Sequence, residues 1–141
     1  MEIIFELKNV NKLPTIDELV KFMWYEKANI SRVGNDKMFR GGEEISLSWN
    51  KWVNDTRWTN HIKSTEYIYI QYVQSTYFKI EVDDSALIVD KRAAALVAKL
   101  IIETAETLSN VDKENLLNRI EENNEYYQYS FESAVEVSLK E

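Results

Sequence analysis

The sequence predicts an α+β fold, a single domain over residues 1–141 with helices packed on one face of a mainly antiparallel sheet. Three stretches carry that expectation. "TEYIYIQYVQSTYFKIEV" alternates as a hairpin, with Ile68, Ile70 and Tyr72 on one face of its first strand and Phe78, Ile80 and Val82 on one face of its second. "ALIVDKRAAALVAKLIIETAETL" repeats Ala93, Leu96, Val97, Leu100, Ile101, Thr104 and Leu108 at helical spacing, and its alanines permit close packing on a sheet. "EIIFELK" at the N-terminus puts Ile3, Phe5 and Leu7 on one side of a half-buried strand. Strands on both sides of a helix, then a run of helix, give the α+β class.

The remaining elements follow in order. Thr15 and Glu18 have the spacing of a capping box just after Pro14, and a helix over 16–28 would place Ile16, Leu19, Val20, Met23 and Trp24 on one face. All three glycines fall in "NISRVGNDKMFRGGEE", where "GND" reads as a hairpin turn and "RGG" as a second break; the Lys-Ser/Thr ending of a phosphate-cradling loop is missing. "EEISLSWNKWV" alternates as a strand ending near Asn50, followed by a loop or short helix through Trp58 and Ile62. A shorter helix is expected from Asp112, carrying Leu116, Leu117 and Ile120. The tail "EYYQYSFESAVEVSLKE" alternates Tyr127, Tyr129, Phe131, Val135, Val137 and Leu139 and reads as a closing strand, with a helix from Ser130 as the alternative because two valines weaken it.

Composition narrows the function. With 45% hydrophobic, 12% aromatic and 29% charged residues, a chain of 141 residues can bury a core without a staple. The absence of Cys excludes disulfides, thiolate metal sites and cysteine nucleophiles, and fits a reducing compartment; acids in "MEIIFELKNV" stand where a signal peptide would carry positive charge, and no apolar run approaches a membrane span. The expected location is cytoplasmic. The net charge of -7 is unevenly placed: residues 1–80 hold 11 Lys and Arg against 10 Asp and Glu, whereas residues 81–141 hold 6 against 14. Such a C-terminal field, with Glu121, Glu122 and Glu125 among its acids, repels phosphate backbones and attracts basic protein surfaces. Residues 27–63 mix seven cations with aromatics, but their excess of +3 in an acidic chain disfavours nucleic acid.

Catalytic and metal candidates are sparse. His61 is the only imidazole, and Ser48 with Asp55 or Glu66 would have to complete any triad. Asp83 and Asp84 precede the long helix, where capping and the helix dipole account for them. No metal or cofactor is expected. The segment "SWNKWVNDTRWTNHIKS" concentrates three of the four tryptophans: Trp49 belongs on the buried face of its strand, while Trp52 and Trp58 fit either a satellite cluster under a loop or a binding surface extended by Tyr67, Tyr69 and Tyr77. Two readings compete. The first is a non-enzymatic acidic protein-binding module, an inhibitor or immunity-type neutraliser of a basic partner, anchored by Trp and Tyr. The second is a small-molecule or enzyme pocket lined by Trp52, Trp58, Tyr67 and Tyr69, with Arg40 or Arg57 holding an anionic group. Homodimerisation through the tyrosine face is a third use of the same surface.

Overall fold

The computed structural model describes residues 1–24, 44–53 and 55–141, and the backbone of residues 30–33. The strands are β1 (Glu2–Glu6), β2 (Ile30–Val33), β3 (Glu44–Asn50), β4 (Thr65–Val73) and β5 (Tyr77–Glu81); the helices are α1 (Ile16–Trp24), α2 (Ile88–Thr104), α3 (Asn110–Glu122) and α4 (Phe131–Leu139). Short 3-10 turns occupy Lys51–Val53, Thr56–Trp58 and Glu125–Gln128. The strands form one sheet in the order β1-β5-β4-β3-β2, and every pairing is antiparallel. Arg40, the expected "GND" turn, the "RGG" break and the end of the expected 16–28 helix lie outside the described residues.

Period-two alternation sorts the sheet. Phe5, Ile45, Leu47, Trp49, Ile68, Ile70, Tyr72, Phe78 and Ile80 are buried on one face and join Leu19, Met23, Trp24, Val97, Ile101 and Val135 of the helices in one hydrophobic cluster. The β4–β5 turn uses left-handed backbone at Gln74 and Ser75 (φ 51° and 53°), and the Thr76 N–H donates to the Val73 carbonyl at 2.9 Å. Such a turn matches the right-handed twist of the strands it joins. The buried Tyr72 hydroxyl donates to the Leu7 carbonyl at 2.7 Å, fixing the chain as it leaves β1.

The helix starts show how sequence becomes structure. At α1 the capping box forms, the Glu18 N–H donating to Thr15 Oγ1 at 3.1 Å. At α3 the cap is Ser109, whose Oγ accepts from the Asp112 N–H at 3.1 Å, so the helix begins just before the expected Asp112. Residues 131–139 are helical, which corrects the expected closing strand. Ser130 Oγ accepts from the Ser133 N–H at 3.1 Å, and Phe131, Ala134, Val135 and Ser138 form one buried helical face. Burial of that face outweighs the few tenths of a kcal/mol that β-branched residues cost a helix.

The tail also corrects the capping of α2. Asp83 accepts from the Ser85 N–H at 2.8 Å and its hydroxyl at 2.6 Å, which holds its carboxyl below the ordinary range, and Asp84 pairs with the Met1 ammonium. Neither reaches α2. Its first amides are met from α4 and the residue beyond its end: Val89 N–H donates to Ser138 Oγ at 2.9 Å and Ile88 N–H to Glu141 Oε2 at 3.3 Å. Arg92, buried on α2, donates from Nε to the Tyr129 carbonyl at 2.8 Å and from Nη1 to the Met23 carbonyl at 3.3 Å. A cation thus sits against the last turn of α1, where the helix dipole favours it. Among the described residues no helix is long and apolar enough to cross a membrane.

Candidate functional site

Opposite the helices, the sheet presents its second face. Pairing places Tyr69 beside Ser46 and Glu81, Tyr67 beside Ser48, Gln71 beside Glu44 and Lys79, Ile4 beside Lys79, and Glu2 beside Glu81. The small Ser46 and Ser48 are buried, whereas Tyr67, Tyr69 and Ile4 are 42%, 44% and 54% exposed. The rings of Tyr67 and Tyr69 lie 6.3 Å apart at 24°, stacked along the strand. Among the described strands this face carries Glu2, Glu6, Glu44 and Glu81 against the single cation Lys79, with Tyr77 half-buried at its margin. Lys79 lies 3.1 Å from Glu81 and 3.6 Å from Glu2, and its pKa is raised, first by the hydrogen bond to Glu81 and then by both carboxylate charges. The face is acidic and aromatic.

The tryptophan segment divides. Trp49 is core, as expected, and Trp52 is 51% exposed on its 3-10 turn. Trp58 takes the covered alternative: it is wholly buried, which removes it from the candidate binding surface. Asp55 caps the turn Thr56–Trp58 by accepting from the Arg57 N–H at 3.1 Å, and that turn drives the indole inward to lie edge-on to Trp49 at 6.5 Å and to His61 at 5.0 Å. Arg57 closes on the same cap, its Nη2 donating to Asp55 Oδ2 at 2.7 Å and its Nε to Oδ1 at 3.0 Å; this raises its pKa further. With Trp58 in the core and Arg57 clamped to Asp55, the four aromatics do not line a common pocket. His61 Nδ1 accepts from the Lys63 N–H at 3.0 Å, so its own loop holds the ring.

Glu121, Glu122 and Glu125 are exposed, at the end of α3 and in the following 3-10 turn. They belong to the helical layer, across the sheet from the tyrosines. The acids nearest the tyrosines are those of the strands.

An ion pair in the core went unread in the sequence. Lys51 and Asp90 are both buried, with Nζ 3.0 Å from Oδ2, and Nζ also donates to the Lys63 carbonyl at 3.4 Å. The ammonium lies 5.5 Å from the ring centres of both Trp49 and Trp58, a cation–π cage. Burial pushes the Asp90 carboxyl up to about 6 against the opposing pull of Lys51. The available signal was spacing: Asp90 shares a helical face with Ala94, Val97 and Ile101, all buried. This pair joins the end of β3 to the start of α2. Among the described residues, no three His, Cys, Asp or Glu side chains are grouped to hold a metal ion.

One concavity lies elsewhere, between β1 and α3. It has a volume of about 630 Å³ and is lined by Ile3, Phe5, Leu116, Ile120, Asn124 and Tyr126 among others. A second hollow of about 820 Å³ shares Glu6, Leu116 and Arg119 with it, extending the groove past the end of β1. No protein-family model matches the chain, and no curated protein or solved structure matches it either.

Proposed function

We propose that this chain is a non-enzymatic protein-binding module that docks a basic partner through the outer face of its sheet, in the manner of an inhibitor or immunity-type neutraliser working in the cytoplasm. One observation carries the reading: among the described strands, the face opposite the helices bears Glu2, Glu6, Glu44 and Glu81 against Lys79, together with a stacked, exposed tyrosine pair. Tyrosine supplies large contact area at low conformational cost, and a single-sign field steers an oppositely charged partner to it. The C-terminal acids Glu121, Glu122 and Glu125 add to the long-range field without lying in the contact.

The test is affinity capture from a lysate of the source cell at low and high salt, with mass spectrometry of the eluate, run in parallel for the wild type and a Tyr67→Ala/Tyr69→Ala variant. A stoichiometric basic protein that is retained at low salt, released at high salt and lost by the variant supports the reading. Capture of the same proteins by both forms sinks it. Replacing Glu121, Glu122 and Glu125 by Gln should slow association several-fold, by roughly the factor expected from weakened steering, while leaving dissociation unchanged.

A further inference from the structure

Among the described residues, the β1 edge of the sheet carries backbone groups aimed at a side with no paired strand. In the β1–β5 ladder the Val82 N–H donates to the Met1 carbonyl at 3.0 Å and the Leu7 N–H to the Thr76 carbonyl at 2.9 Å. Antiparallel pairing alternates, so the odd-numbered residues face β5, and the N–H and C=O of Glu2, Ile4 and Glu6 point the other way. Those six groups have no partner among the described residues. An edge of this kind is a template for another strand. Here it borders the groove whose apolar lining comes from Ile3, Phe5, Leu116 and Ile120.

We propose that this edge and groove capture an extended segment of a partner protein as a sixth, antiparallel strand with the pattern basic–apolar–apolar–apolar–basic. The pattern follows from the register. Residues opposite Ile3 and Phe5 would share the helix side of the sheet and meet Leu116 and Ile120, and a residue opposite Ile4 would cover that exposed side chain. The two flanking positions stand opposite Glu2 and Glu6. These carboxylates lie 3.6 Å from Lys79 and 3.1 Å from Lys8 in exposed pairs that a partner's cation can readily replace. Along the groove, Glu2, Glu6, Asp112 and Glu122 outnumber Lys8 and Arg119. The same charges disfavour a second copy of this chain: antiparallel pairing of two β1 strands centred on Ile4 would set Glu2 of one against Glu6 of the other.

The proposal rests on the protein-binding reading but names a different surface from the tyrosine face, so each can fail alone. The probe is a blocked synthetic peptide with Lys-Val-Tyr-Val-Lys at its centre, titrated into the intact chain and followed by fluorescence anisotropy and amide NMR. Binding should shift amides of β1 and α3 and protect the amide protons of Glu2, Ile4 and Glu6 from exchange. N-methylation of the central Tyr, whose N–H would bond the Ile4 carbonyl, should weaken binding about tenfold or more, whereas N-methylation of either Val, whose N–H points away, should cost less than about threefold. Ile4→Pro removes an outward donor and no bond to β5, and should weaken binding by a similar factor with the thermal transition retained. A peptide with Glu in place of both Lys should not bind in the same range. Binding indifferent to the N-methylation pattern, no binding up to millimolar peptide, or shifts confined to Tyr67 and Tyr69 would overturn the proposal. So would a concentration-dependent dimer abolished by Ile4→Pro, since the occupant would then be a second copy. If the peptide binds as expected while Tyr67→Ala/Tyr69→Ala leaves partner capture unchanged, strand capture stands and the tyrosine-face reading falls.

Discussion

Along β4, Ile68, Ile70 and Tyr72 are buried, while Tyr67 and Tyr69, their neighbours in sequence, stand in solvent. The inner face is continuous with the helices, holds Trp49, Trp58 and a fully buried ion pair, and tolerates little change. The outer face holds a tyrosine stack and a surplus of carboxylates with no described helix over it. On the proposed reading, stability and recognition fall on opposite sides of one sheet. Substitutions on the inner side should unfold the protein, and those on the outer side should leave it folded and alter what it binds.

The largest effect should come from the buried Lys51–Asp90 pair on the inner side. Lys51→Met leaves Asp90 buried without its cation and should cost about 3–5 kcal/mol in urea unfolding at neutral pH. The double variant Lys51→Met/Asp90→Leu removes both charges and should regain most of that loss. If the single change costs under about 1 kcal/mol, the pair is not desolvated as its burial implies, and the contrast between the faces weakens.

The same pair sets a pH dependence. Burial raises the Asp90 pKa from an ordinary 3.8 to about 6. Between those values the folded state keeps a proton that the unfolded chain has lost, so this group's contribution to stability is full below about pH 4 and declines as pH rises through 6. At roughly 1.4 kcal/mol per pH unit the decline is about 3 kcal/mol. The stability difference between wild type and Asp90→Asn, followed from pH 4 to pH 7, should fall by that order. A difference that is flat or rises with pH would mean that Lys51 outweighs desolvation.

A smaller effect is expected where the tail caps α2. Ser138→Ala leaves the Val89 N–H without its acceptor in a buried site and should cost about 1 kcal/mol, whereas Glu141→Gln, at the exposed Ile88 N–H, should be near neutral. Equal effects from the two would remove the special standing of the buried cap.

How much of this was legible depended on the range of the interactions. The β4–β5 hairpin, the Thr15–Glu18 capping box, the burial of Trp49 and the end of β3 near Asn50 are local consequences of period-two or 3.6-residue spacing and of short side-chain reach, and they stood in the sequence. Residues 131–139 satisfied both periods at once: Val135, Val137 and Leu139 alternate, and Phe131, Ala134, Val135 and Ser138 follow a helix. Only packing against α2 decides between them, aided by Ser130 at the helix start. The caps on α2 come from residues about fifty positions away, and Lys51 meets Asp90 across a similar distance in sequence. Trp58 gave no sign of its direction because a three-residue turn, set by Asp55, determines it. Within the hairpin, period-two alternation puts Glu81 and Lys79 on the same face as Tyr67, Tyr69 and Tyr77, whereas Glu2, Glu6 and Glu44 join that face only through strand pairing to β1 and β3.

A small expected change in stability, and the sharpest use of the two-sided sheet, is at Tyr69. Tyr69→Ala removes an exposed ring stacked on Tyr67 and set between Ser46 and Glu81, and should shift unfolding by less than about 1 kcal/mol. Ile70→Ala, one residue along, empties a fully buried site and should cost about 2–5 kcal/mol. Against the proposed basic partner the ranking should invert among folded proteins: Tyr69→Ala loses affinity, whereas an inner-face change mild enough to stay folded, such as Ile70→Val, keeps it. If Tyr69→Ala binds as the wild type does while Ile4→Pro does not, recognition belongs to the edge of the sheet and its outer face is a solvated surface. If both lose affinity, the partner spans from the tyrosines across β5 to β1, and a single basic segment could lie on the face while its neighbour enters the groove.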